Sequence, residues 1–189
     1  MADLTLTATP ALGGYREEFD GVTLSEQPQT AIVSIAVPRG GGAALAEAFR
    51  AGLGVDLPAP GTSVLSNDGA KRVYGMAPDQ FFVVFDHDRP DAARVVDAAL
   101  GGTAYVTDQT DVWVTLRIDG PVAISALERI CPIDLNARAF PEGRVARTVM
   151  EHLGTIILRD GPDIFTIFSA RSSAGSFLHA VQTSIRNIM

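Results

Sequence analysis

Few side chains in this 189-residue sequence have the type and spacing that chemistry requires. The single cysteine, Cys131, has no histidine near it in sequence. A catalytic thiol needs an adjacent base or a positive environment to become thiolate. Cys131 follows Ile130 at an apolar helix end, so it reads as a small buried hydrophobe. His87, His152 and His179 are widely separated, and no H-x-x-x-H pair or zinc-ligand spacing exists. All three read as surface or partly buried structural histidines. Gly40-Gly41-Gly42 lies between a strand and a helix, where backbone N–H groups can cradle a phosphate. Its spacing fits neither the dinucleotide fingerprint nor the Walker pattern, so a turn is the simpler reading. Asp108 and Asp111 flank Gln109-Thr110 and could form an acid–base pair. Aspartates in a turn also bond the local backbone, and that reading is preferred here.

A second group of residues faces recognition rather than catalysis. Asp134 recurs at a place matching Asp56, and a catalytic carboxylate would not need two copies. An aspartate that accepts nearby N–H bonds explains both. After Cys131 the chain becomes locally basic and aromatic, with Arg138, Phe140, Arg144 and Arg147. Arginines and aromatics are enriched at binding hot spots, although isolated surface arginines usually contribute little. Arg171, at a strand end before the last helix, is a further exposed candidate. The interface candidates are therefore Asp134, Arg138, Phe140, Arg144 and Arg171. No catalytic, cofactor-binding or metal residue is assigned.

The elements that must position these residues follow from periodicity and turn chemistry. Strands are expected at 30–37, 62–65, 72–76 and 80–85, with helices at 43–53 and 90–100. Asp88 is the expected cap of the second helix and Gly101 its stop. A short strand at 104–107 precedes a second set. That set has strands at 112–118, 145–150, 155–158 and 164–168, and helices at 121–131 and 172–186. Pro121 suits a first helical position and Pro132 ends that helix. The order strand–helix–strand–strand–strand–helix thus occurs twice. Residue matches support the repeat: Val55-Asp56-Leu57 with Ile133-Asp134-Leu135, Gly61 with Gly143, and Pro78-Asp79-Gln80-Phe81 with Pro162-Asp163-Ile164-Phe165. The expected class is α+β, two related halves of mainly antiparallel strands covered by helices. Residues 1–29 form an N-terminal arm, 30–103 the first half and 104–189 the second. The arm carries Leu4, Leu6, Leu12, Tyr15, Phe19, Val22 and Leu24, too many apolar groups for a free tail, and is expected to lie across its own domain or on a partner.

Composition bounds the function. At 47% hydrophobic residues the chain can build a real core. A net charge of −7 disfavours non-specific nucleic-acid binding. One cysteine permits no internal disulfide, which fits a reducing cytoplasm. The N-terminal M-A-D-L-T-L-T-A-T-P lacks a basic region and a continuous apolar core, so no signal peptide is expected. No apolar run approaches the roughly 18 residues of a membrane span.

Several stretches together carry a resemblance. V-T-D-Q-T-D (from Val106), L-R-I-D-G-P (from Leu116), C-P-I-D-L (from Cys131), A-F-P-E-G (from Ala139) and A-R-S (from Ala170) occur in that order. L-T-A-T-P-A-L and V-T-L-S-E stand near the start. This chain resembles the gamma subunit of bacterial heterotetrameric sarcosine oxidase, more tightly from Tyr105 onward. That family looks like a shortened relative of the folate-binding aminomethyltransferase, or T-protein, fold. The resemblance implies a non-catalytic accessory subunit that binds no cofactor itself. Its expected partners are the large alpha subunit and the beta and delta subunits. FAD, FMN and NAD are implied for alpha and beta, and a tetrahydrofolate site for alpha. The complex would oxidise sarcosine to glycine, giving H2O2 and either formaldehyde or methylenetetrahydrofolate. Two alternatives stay open: the gamma subunit of an N-methylglutamate dehydrogenase complex, and a free-standing folate-binding protein using Asp108 or Asp134. A lone methyltransferase ranks last, because a full T-protein is roughly twice this length.

Overall fold

The computed structural model describes residues 8–189; Leu4, Leu6 and the first residues of the L-T-A-T-P-A-L stretch lie outside them. In chain order the strands are β1 (Arg16–Phe19), β2 (Val22–Glu26), β3 (Thr30–Ala36), β4 (Ser63–Leu65), β5 (Lys71–Ala77) and β6 (Gln80–Asp86), then β7 (Tyr105–Asp108), β8 (Trp113–Asp119), β9 (Val145–Met150), β10 (Leu153–Gly161) and β11 (Ile164–Ala170). The helices are α1 (Gly42–Leu53), α2 (Ala92–Leu100), α3 (Ala123–Glu128) and α4 (Ala174–Arg186). One sheet runs β4-β5-β6-β3-β7 and the other β1-β2-β8-β11-β10-β9, and every pairing is antiparallel.

Strand alternation builds three cores from these two sheets. Val33, Ile35, Val73, Phe81 and Val83 face α1 and α2. Val114, Leu116, Ile118, Phe165 and Ile167 face α3 and α4. The opposite faces meet each other: Ile32, Tyr74, Phe82 and Val84 of one sheet pack with Ile156, Leu158 and Phe168 of the other. The result is four layers, helices–sheet–sheet–helices. Helical spacing supplies the outer faces, with Leu45, Phe49 and Leu53 buried on α1, Ala92, Val96 and Leu100 on α2, and Phe177, Val181 and Ile185 on α4.

The duplication extends to individual backbone hydrogen bonds. Ser63 N–H donates to the Gly143 carbonyl at 2.7 Å, and Val145 N–H donates to the Gly61 carbonyl at 3.1 Å. These reciprocal bonds flank an isolated bridge between Thr62 and Arg144. Gly61 (φ 79°) and Gly143 (φ 78°) share a left-handed conformation, which glycine adopts without the steric penalty of a Cβ. Both β5–β6 and β10–β11 carry a register irregularity, between Gly75 and Ala77 in one and Arg159 and Gly161 in the other.

The strands that precede each repeat join the sheet of the other repeat. β7, which precedes the second repeat, pairs with β3 of the first, aligning Ala36 with Tyr105. β2, which precedes the first repeat, pairs with β8 of the second, aligning Thr23 with Asp119. Sheet membership therefore does not follow divisions at 29/30 and 103/104. No strand was expected in the arm, yet β1 and β2 form a hairpin that extends the second sheet. At the start of α3, Pro121 lies before the helix rather than at its first position: Val122 is the capping residue, and Ala123 N–H bonds Gly120 O in a tighter turn. α2 is likewise capped at Asp91, not Asp88, and ends as expected at Gly101.

Candidate interface

The stretch after α3 is irregular, yet fixed at several points. Cys131 N–H donates to the Leu127 carbonyl at 2.8 Å, closing a turn between the end of α3 at Glu128 and Pro132. Asp134 Oδ1 accepts from Asn136 N–H at 2.9 Å, and Asn136 Oδ1 accepts from Arg138 N–H at 3.0 Å. The Asn136 carbonyl takes Ala139 N–H at 2.9 Å and Phe140 N–H at 2.8 Å. These local bonds wind the link into consecutive turns. Leu135 and Phe140 anchor it in the core beneath α3 and α4.

A buried cation completes the link. Arg159, only 3% exposed, donates from Nη1 to the Leu135 and Phe140 carbonyls, each at 3.0 Å. Its Nε donates to Gly161 O at 3.1 Å and its Nη2 to Pro162 O. The guanidinium also lies 5.3 Å from the Phe165 ring centroid. A planar five-donor fork matches this ring of carbonyls, which a lysine could not span. Arg159 is absent from the candidates read from sequence.

The five interface candidates separate in the structure. Asp134 and Arg138 are exposed on the link. Among the described residues, Arg138 has no ion-pair partner within 4.0 Å. Arg144 lies where the halves bridge, with its Nε buried and, among the described residues, without a hydrogen-bond partner. Phe140 is not an exposed aromatic, as the local composition suggested; at 3% exposure it is an internal anchor. Arg171 lies elsewhere, donating to Thr9 O at 2.6 Å and approaching Asp111 at 3.8 Å. It ties the N-terminal segment to the turn before β8. That segment is also held by Glu26, a buried carboxylate accepting Leu12 N–H at 3.0 Å and Gly14 N–H at 2.7 Å.

His152 and His179 are exposed, and several of the other residues with chemical potential have structural partners. Gly41 N–H donates to Pro38 O at 2.8 Å, so it is not free for a phosphate. Burial pushes the Cys131 thiol up, which disfavours the thiolate. His87 Nε2 lies 2.6 Å from Asp91 Oδ1, and this hydrogen bond leads the causes that hold Asp91 below the usual carboxylate range. Asp108 Oδ1 accepts Thr110 N–H at 2.9 Å within its turn. Asp134 anchors backbone as expected, but Asp56 instead pairs with Arg50 at 2.6 Å. Among the described residues no cluster of three metal-ligating side chains occurs, and no helix is long and apolar enough to cross a membrane.

The paired sheets and their outer helices define the class of protein first. The fold is similar to that of the glycine cleavage system aminomethyltransferase T from Bartonella henselae, with a TM-score of 0.60 over 85% of this chain and 45% of that one, at 17% identity. No family model matches the chain. Individual relatives carry the assignment further. The gamma subunit of sarcosine oxidase from Corynebacterium sp. (strain P-1) is 30% identical over 145 residues, 76% of this chain and 70% of that protein. The gamma subunit from Corynebacterium sp. (strain U-96) is 29% identical over 160 residues, 84% of this chain and 76% of that protein. A chain of the heterotetrameric sarcosine oxidase from Corynebacterium sp. U-96, solved with pyrrole 2-carboxylate, matches with a TM-score of 0.75, covering 88% of this chain and 84% of that one at 27% identity. This chain belongs to the sarcosine oxidase gamma-subunit family.

Proposed function

We propose that this chain is an accessory gamma subunit of a heterotetrameric sarcosine oxidase, performing no chemistry itself and held by the large alpha subunit. Beta and delta chains complete the assembly. FAD, FMN, NAD and tetrahydrofolate belong to the larger subunits. The complex converts sarcosine to glycine, reduces oxygen to H2O2, and releases the methyl carbon as formaldehyde or methylenetetrahydrofolate. Kinship with named gamma chains across most of their length is the observation that carries this reading. The local geometry supports a docking role for the link, since Arg159 rigidifies a surface turn that displays Arg138 without an ion-pair partner among the described residues. A pre-ordered surface lowers the entropy lost on association.

Co-expression with the large subunit followed by size-exclusion chromatography tests the proposal. Co-elution is expected, together with sarcosine-dependent H2O2 formation by the assembly. Independent elution under all conditions would overturn it. An assembly that oxidised N-methylglutamate in preference to sarcosine would move the chain to the related dehydrogenase.

A further inference from the structure

Between the two sheets, at the end where the inter-sheet core becomes polar, lies a cleft of about 390 Å³. Its lining includes Arg72 and Tyr74 from β5, Arg117 from β8, Asp160 from β10 and Thr166 from β11. That volume falls in the range of small-ligand pockets. Tyr74 is 2% exposed, and its ring packs edge-on against Phe168 at a centroid distance of 6.0 Å. Its hydroxyl makes no hydrogen bond to any described residue and is not among the fully enclosed unpaired polar atoms, so it opens onto the cleft. Burial, and then the negative charge of Asp160, pushes the phenol well above its ordinary range, so it stays protonated and can donate.

The remaining groups add donors faster than acceptors. Asp160 is engaged: Thr166 donates to one oxygen, and Arg72 lies 3.6 Å from the other. Among the described residues, Arg72 otherwise donates once, to Ser63 at 3.3 Å, and Arg117 once, to Asp119 at 3.1 Å. Each guanidinium carries five N–H groups, so several are unused. The lining holds three basic residues, Lys71, Arg72 and Arg117, against two acidic ones, Asp86 and Asp160, in a chain of net charge −7. Leu65 and Val84 supply an apolar wall. We propose that this cleft binds a small organic monocarboxylate, with its carboxylate taking hydrogen bonds from Arg72, Arg117 and the Tyr74 hydroxyl and its apolar body lying along Leu65 and Val84. This site is separate from the link and does not depend on the proposed partner.

Benzoate is a suitable probe, because it joins one carboxylate to a compact apolar ring. Amide chemical shifts of the labelled full chain are followed while benzoate is added, with benzamide and benzylammonium as neutral and cationic isosteres. Saturable shifts at Ala70, Lys71 and Thr166 are expected with benzoate alone. Arg117→Gln should weaken binding roughly tenfold, the scale of one charge-assisted hydrogen bond. Tyr74→Phe should weaken it roughly fivefold. That variant should not lower the melting temperature, because it removes a hydroxyl bonded to no described residue. Equal binding of the isosteres, shifts absent from the cleft, or undiminished binding by both variants would overturn the proposal.

Discussion

Replacing Arg159 with methionine tests how the exposed link is held. Methionine keeps much of the arginine stem's volume, although the guanidinium that lies over the Phe165 ring is removed. The loss is polar. Four carbonyls, those of Leu135, Phe140, Gly161 and Pro162, lose their common donor. A hydrogen bond to a charged group contributes about 1.5–3 kcal/mol, and an unpaired buried acceptor costs about 1–3 kcal/mol. Two effects act against the full sum. The variant no longer buries a cation, whose desolvation costs several kcal/mol, and the link is shallow enough for some carbonyls to regain water by loosening. The expected net loss is about 3 kcal/mol. That corresponds to a melting temperature lower by about 6–12 °C for a domain of this size. Arg159→Lys keeps the charge but cannot reach all four carbonyls, so it should fall between the variant and the parent. Thermal unfolding gives the first readout. Amide exchange at Ala139 and Phe140, which bond to the Asn136 carbonyl, gives the second, and both should accelerate more than amides in β8. A methionine variant melting within a degree of the parent would refute the reasoning. So would a large global loss with no selective acceleration in the link.

Three further outcomes follow from single contacts. Gly75→Ala would place a Cβ 2.3 Å from the Ala59 carbonyl oxygen, so backbone must move, and the variant should lose more than about 2 kcal/mol in urea unfolding. Glu26→Ala removes the acceptor for Leu12 and Gly14 N–H, and should cost about 2 kcal/mol and speed proteolysis near residues 8–15. Tyr15 is raised to about 12, chiefly by burial and then by its hydrogen bond to Glu17. Its unfolded phenol ionises near pH 10, so this contribution is complete below that pH and is lost as pH rises to about 12. Tyr15→Phe should flatten the decline in unfolding free energy between those limits.

The duplicated halves were legible because their punctuation is local. Gly61 and Gly143, and the two Pro-Asp turns, mark the same backbone events in each half, and tertiary context does not alter them. Short apolar-rich runs likewise marked the buried strands β3, β6, β8 and β11. The N-terminal hairpin escaped notice because Arg16-Glu17-Glu18-Phe19 is short and charged, and becomes a strand through pairing with β2. The sheet membership of β7 was equally hidden, since no residue in Tyr105–Asp108 states which sheet it will join. Phe140 misled because an aromatic among arginines looks like a hot spot, whereas its ring fills the core under the link. Arg159 left little trace: its partners are carbonyls, which carry no side-chain signature. The one available signal was its position in the repeat, matching Gly75 before an equivalent irregular turn.

The central claim is that this chain serves by being held. Biolayer interferometry between the purified chain and the remaining purified subunits tests it most directly, with Arg138→Glu compared against Arg39→Glu in the loop before α1. Tight binding by the parent and the Arg39 variant, weakened roughly tenfold by Arg138→Glu, is the expected pattern. No association at micromolar concentration, or an Arg138→Glu variant that binds as well as the parent, would contradict it.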